Sequence, residues 1–341
     1  DLVRELAKRN ELDITVSDLG QLEEKNQASI DLKEATNIKY VSLDITDKEA
    51  VMNVIKEEKP DVIFHCAAWT AVDKAEDMEE VVRKVNVEGT KNITDASIEV
   101  GAKIIYMSTD YIFDGTKEGY YTEEDTPNPK SVYGLTKYEG EQEVRRNEKH
   151  FITRISWVFG INGNNFIKTM LNLSEKMNEL NVVDDQVGSP TYTVDLAKIL
   201  VDMAHTEQYG TYHVNNDGYC SWAEFAKYIF ESNDKEMTVN PVSTEEYLEI
   251  TGTKQAYRPR NSKLSKEKFL ELKQGLENEI TTLKQTKAEK EKELAVVQEE
   301  LQKKKQIAGN TEVLLTADNL QQYVKKIEVD HKKNTYTEFV F

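Results

Sequence analysis

Lys103-Ile-Ile-Tyr-Met-Ser-Thr-Asp110 is the stretch on which the fold turns. Its β-branched and aromatic run reads as a strand over Lys103–Met107, and the Ser-Thr-Asp that follows puts hydroxyls and an acid at its carboxyl end. Working outward, Leu12–Ser17, Ile38–Leu43, Asp61–His65 and Phe151–Ile155 read as strands of the same kind. Helical patterns lie between them at Asp47–Lys59, Asp73–Gly101 and Val132–Asn147. Strand–helix–strand alternation predicts parallel strands joined by crossover helices. The expected fold class is therefore α/β, a Rossmann-type doubly wound parallel sheet whose ligands bind beyond the strands' carboxyl ends. Residues 157–264 mix short strands and helices and read as a small α+β substrate lobe. The expected division is 1–156, 157–264 and 265–341.

The chain has 341 residues, with 44 Lys and Arg against 62 Asp and Glu, for a net charge of −18. Residues 265–341 contribute 14 of each sign, so the first 264 residues carry the whole imbalance. Phosphate neutralisation needs a cationic footprint, so neither nucleic acid nor an anionic membrane surface is expected as a partner. No apolar run approaches the roughly 18 residues of a membrane span, and no signal-peptide pattern opens the chain. Two cysteines, Cys66 and Cys220, make neither a disulfide framework nor a zinc spacing. These features point to a cytoplasmic protein.

Tyr133 and Lys137, four residues apart, share one face of the helix expected at Val132–Asn147. An ammonium beside a phenol favours phenolate, which would lower the Tyr133 pKa toward neutrality. Tyr133 is then a proton donor to a carbonyl oxygen, or an acceptor from an alcohol. Thr109, ending its strand, is placed to hold the same oxygen. Together Tyr133, Lys137 and Thr109 form the expected catalytic group.

Seven stretches in order carry a resemblance: His65–Glu76, Ser108–Gly115, Val132–Lys137, Arg154–Gly160, Gly163–Leu171, Asp184–Thr191 and Arg258–Leu264. Over roughly residues 1–268 the chain resembles the dTDP-4-dehydrorhamnose reductases, within the extended short-chain dehydrogenase/reductases. The resemblance implies NADPH- or NADH-dependent reduction of the C4 keto group of dTDP-4-dehydro-β-L-rhamnose to dTDP-L-rhamnose. It places the dTDP-sugar against Thr109, Asp110 and Trp157, and the cofactor against Ala68, Trp69, Thr70, Tyr133 and Lys137. Asp44 and Ile45 would lie near the adenine, and Asp18 on the adenosine ribose. Arg258 would meet the substrate diphosphate. Mg2+ and a homodimer are implied by the resemblance alone, and no metal ligand is assigned.

Each residue also has a plainer reading: core or strand-end packing for Cys66, His65 and Trp157, loop capping for Asp18 and Asp44, and a surface ion pair for Arg258. Asn86 reads either as a buried polar contact near the cofactor or as a solvated helix residue. The family begins with a strand and a glycine-rich phosphate loop, and the chain as written starts in the helix after them, at Leu2–Asn10. That predicts a fragment or a weak cofactor binder. Residues 265–308 place Phe269, Leu272, Leu276, Ile280 and Leu283, then Leu294, Val297 and Leu301, on one stripe of a coiled-coil helix. Gly309-Asn310 is expected to stop it, with a short helix at Thr316–Lys326 and strands at Ile327–Asp330 and Thr335–Phe341. This tail is similar to the carboxyl end of large serine recombinases, which suggests a fusion near 264–270; a native dimerisation arm is the alternative. A non-catalytic nucleotide-sugar or NADP-binding regulator, or a chain acting only through its coiled coil, are the rival functions.

Overall fold

The computed structural model describes residues 1–9, 11–20 and 37–308. Two compact units divide the chain, Asp1–Phe269 and Leu270–Phe341. The elements expected at 316–341, and the stop at 309–310, lie outside the described residues.

In the first unit a short helix, Leu2–Ala7 (α1), precedes strands Ile14–Asp18 (β1) and Ile38–Ser42 (β2), which pair in parallel from Ile14–Ile38 to Asp18–Ser42. Lys48–Glu58 (α2) follows, started by Asp47, whose carboxylate accepts the Ala50 N–H. Then come Val62–His65 (β3), the short helices Val72–Ala75 (α3) and Glu79–Arg83 (α4), a π turn at Lys84–Gly89, and Thr90–Val100 (α5). The single helical pattern expected at Asp73–Gly101 is thus several segments. Strand Lys103–Thr109 (β4), helix Val132–Val144 (α6) and strand His150–Ile155 (β5) complete the alternation.

Val158–Phe159 (β6), Phe166–Ser174 (α7), Glu179–Val183 (β7), Val187–Gly188 (β8), Thr191–Tyr192 (β9) and Thr193–Ala204 (α8) come next. After them the chain forms Gly210–His213 (β10), Cys220–Ser221 (β11), Trp222–Glu231 (α9), Thr238–Val242 (β12) and Thr244–Thr251 (α10). Strand β10 falls within the stretch read as a lobe, yet it pairs in parallel with β5, so the sheet recruits a strand from beyond residue 156.

Among the described residues the doubly wound sheet is in two pieces, β2–β1 and β3–β4–β5–β10. All the pairings in both are parallel. Helices α2, α5 and α6 close one core with the strands: Leu43, Val51, Ile55, Ile93, Ala96, Ile104, Tyr106, Val144 and Ile152 are buried together. A second core, with Met170, Val182, Phe225, Ala226, Ile229 and Phe230, joins α7 and α9 to β7 and β12. The second unit contributes most of Glu267–Ala308 (α11), a 42-residue helix where the heptad stripe predicts one.

Candidate active site

Parallel pairing puts the ends of β3, β4 and β5 at one edge of their sheet, so Ala68–Thr70, Thr109–Asp110 and Trp157 follow from adjacent strand ends. Helix α6 runs beside β4. Ser131 caps it by accepting the Gly134 N–H at 3.1 Å, and Glu76 of the loop after α3 accepts the Val132 N–H at 2.8 Å. Both bonds fix the first turn, which carries Tyr133. Gly134 has to be glycine, because a Cβ there would lie 2.2 Å from the Tyr111 carbonyl oxygen.

Tyr133 is half-buried and packs edge-on against Tyr111, with ring centroids 5.5 Å apart. Burial pushes its hydroxyl up to about 12; the Thr109 hydroxyl pulls down and the Asp110 charge pushes up. The lowering expected from Lys137 is not what the structure holds: burial dominates and raises the hydroxyl instead. The reason is geometric. The Lys137 Nζ lies 4.0 Å from the centre of the Tyr106 ring, and it makes no hydrogen bond among the described residues. Burial brings its pKa down to about 7, opposed chiefly by the charge of Glu141.

Glu141, one turn beyond Lys137 on the same face, was missed by the sequence reading. It is fully buried, accepts the Ser108 hydroxyl at 2.6 Å, and takes Arg154 Nε and Nη2 at 3.0 and 2.9 Å. Arg154 is itself buried, against the Phe113 ring. The spacing Tyr133, Lys137, Glu141 repeats i, i+4, i+8 and carried the signal. A bidentate buried pair locks α6 to β4 and β5 under the site.

Thr109 donates to Asp110 Oδ1 at 3.0 Å, and its Oγ1 accepts the Tyr111 N–H. Burial pushes the Asp110 carboxyl up to about 6, while Ser262 and Thr109 favour its charged form. Its Oδ2 has no partner in hydrogen-bonding geometry among the described residues. A buried acceptor left open beside Tyr133 invites a ligand hydroxyl.

Asn86, in the π turn, is the pin of the neighbouring loop. Its Oδ1 accepts the Trp69 N–H at 2.7 Å, and its Nδ2 donates to Thr136 Oγ1 at 3.1 Å, tying the loop to α6. Ile45 packs on the same turn so closely that a Cβ on Gly89 would lie 2.7 Å from its Cδ1, and its carbonyl accepts from Asn92. Asp44 caps its own loop through Thr46 N and Oγ1, both at 2.8 Å. Asp18 accepts the Leu19 N–H at the end of β1. Ile45 is thus linked through the π turn to Trp69.

Trp157 has a left-handed backbone, φ 48°, and its ring stacks on Trp222 at 3.6 Å. Such strain in a non-glycine residue costs on the order of 1 kcal/mol and is typical of functional sites. Arg258 is engaged: Nη1 and Nη2 donate to Asp73 Oδ1 and Oδ2 at 2.8 and 2.9 Å. His65 is buried against Thr90 Oγ1 at 2.9 Å, and burial lowers its pKa to about 3. Cys66, expected in the packing, is instead open to solvent. It lies just beyond the end of β3, a strand with a ladder partner on one side only among the described residues. Among the described residues no group of three His, Cys, Asp or Glu side chains could hold a metal ion, so the implied Mg2+ finds no ligand set there. No helix among them is long and apolar enough to cross a membrane.

Comparison with known proteins bears on this site. The family model of the RmlD substrate binding domain matches residues 16–303. A dTDP-4-dehydrorhamnose reductase of Aggregatibacter actinomycetemcomitans is 39% identical over 242 residues, 67% of this chain and 81% of its own. The spore coat polysaccharide biosynthesis protein SpsK of Bacillus subtilis is 40% identical over 206 residues, 60% of this chain and 72% of its own. The crystal structure of dTDP-4-dehydrorhamnose reductase from Bacillus anthracis, in complex with NADP, superposes with a TM-score of 0.66 at 42% identity, covering 74% of this chain and 90% of the other.

Proposed function

Since this chain belongs to the RmlD substrate binding domain family, we propose that it reduces the C4 keto group of dTDP-4-dehydro-β-L-rhamnose, making dTDP-L-rhamnose for cell-surface polysaccharide. The observation that carries the reading is the placement of Tyr133, on the capped first turn of α6 and packed against Tyr111, beside Thr109 and Asp110 at the end of β4.

The residues present fit a nicotinamide dinucleotide. The buried Lys137 ammonium has an aromatic face but no hydrogen-bond acceptor among the described residues, and ribose hydroxyls would supply one. Asn86 and the Trp69 loop would line the same pocket, with Asp44 and Ile45 toward the adenine and Asp18 toward its ribose. When bound, NADPH supplies a hydride to C4. Tyr133 donates its proton to the ketone oxygen, so C=O becomes CH–OH. Burial, which raises the Tyr133 pKa, favours the protonated hydroxyl until the ketone oxygen gains charge. Thr109 orients the keto oxygen by turning its hydroxyl proton to it from Asp110 Oδ1, the open Asp110 Oδ2 accepts a sugar hydroxyl, and Trp157 forms a wall of the sugar site. Arg258 receives the diphosphate. We place the protein in the cytoplasm, as a homodimer.

The test is oxidation of NADPH, with NADH as control, by dTDP-4-dehydro-β-L-rhamnose. Turnover that falls by about 10²–10⁴ in Tyr133→Phe is expected. Turnover unchanged in that variant, or absent from a chain that binds cofactor, overturns the reading.

A further inference from the structure

Residues 256–265 cross the first unit as a strap. Asn261 donates to the carbonyls of Lys117 and Gly119 at 2.7 and 2.8 Å, and Tyr257 donates to the Asp114 carbonyl at 2.7 Å. The strap lies so close to Gly115, φ 71°, that a Cβ there would stand 2.6 Å from Arg260 N. Beside it, three donors converge on Asp73 of α3: Arg258 Nη1, Arg258 Nη2 and the Ala256 N–H, the last at 2.9 Å. Glu76, just past α3, caps α6, so the carboxylate sits on a loop already tied to the helix that carries Tyr133.

A guanidinium has five N–H groups in a rigid plane, with two edges able to bind an oxyanion bidentately. Asp73 takes one edge, and the other Nη1 hydrogen goes to the Ala256 carbonyl at 3.1 Å. The Nε–Nη2 edge makes no hydrogen bond among the described residues, and the side chain is 23% exposed. Arg258 also acts electrostatically on Tyr111, the ring packed on Tyr133.

We propose that Asp73 is a positioning residue for the nucleoside diphosphate, holding one edge of Arg258 so that the free edge is set for phosphate oxygens before the ligand arrives. The inference rests on Arg258 as the diphosphate-binding residue. An isolated surface ion pair would contribute little. Here the carboxylate is fixed by a backbone N–H as well, and what it supplies is the orientation of a side chain that otherwise has many rotamers to lose on binding.

Calorimetric binding of dTDP and of thymidine to the full chain tests this. Asp73→Asn should weaken dTDP about tenfold, leave thymidine unchanged, and raise the KM for the nucleotide-sugar with kcat held. Asp73→Glu should recover part of the loss. Arg258→Lys should weaken dTDP as well, and adding Asp73→Asn to it should cost nothing more. If Asp73→Asn and Asp73→Glu both leave dTDP affinity unaltered, or weaken dTDP and thymidine alike, Asp73 does not position the fork. If Arg258→Lys leaves dTDP affinity unaltered, the diphosphate assignment fails and the inference with it. An unaltered chain that binds neither ligand overturns the proposed function itself.

Discussion

Replacing Lys137 with Met separates what the site needs from what the fold prefers. The ammonium is buried, and its pKa falls from the ordinary 10.5 to about 7 because charge is disfavoured there, even with Glu141 nearby. At about 1.4 kcal/mol per pH unit, carrying that charge costs the folded state on the order of 5 kcal/mol relative to the unfolded chain. The cost is fully present below pH 7, where both states hold the proton. Between about pH 7 and 10.5 the unfolded chain binds more protons than the folded one, so the wild type gains stability as pH rises. Met fills nearly the same volume with no charge to bury. Lys137→Met should therefore be more stable than the parent at pH 6, by a margin that shrinks steadily and is nearly gone by pH 10. Urea unfolding of both proteins at pH 6, 7, 8, 9 and 10 gives the difference directly, other lysines cancelling. The variant should bind NADPH poorly. A gap that stays constant with pH, or widens as pH rises, refutes the burial of a costly ammonium.

Two further outcomes test the scaffold. Arg154→Met strands the Glu141 carboxylate with Ser108 and the more distant Arg145, and should lose about 3–5 kcal/mol of stability by denaturant titration, whereas Arg154→Met with Glu141→Leu should recover most of it. Gly89→Ala drives a Cβ to 2.7 Å from Ile45 Cδ1 and should lower stability by about 1–3 kcal/mol together with NADPH affinity, and Ile45→Ala in the same chain should restore the melting temperature.

Strands β3, β4 and β5 were readable because each is a compact apolar run bounded by turn residues, and buried parallel strands need only local sequence to declare themselves. Tyr133 and Lys137 were readable because a helix places i and i+4 on one face whatever surrounds it. The Asp73–Gly101 stretch was harder. Its helical periodicity is real, but breaks at Met78 and the π turn at Lys84–Gly89 depend on Asn86 reaching Trp69 and on Ile45 pressing against Gly89.

From its own order of residues the chain determined the alternation of strands and helices, the polar ends of those strands and the helix face bearing Tyr133, Lys137 and Glu141. These follow from backbone periodicity, which acts over a few residues. The tertiary structure decided the charges. It turned Lys137 toward Tyr106, gave Arg258 to Asp73 across 185 positions of sequence, and left Asp110 Oδ2 without a hydrogen-bond partner among the described residues. Ionisation and hydrogen bonding are set by burial and by neighbours in space, and those neighbours come from parts of the chain that local pattern does not bring together.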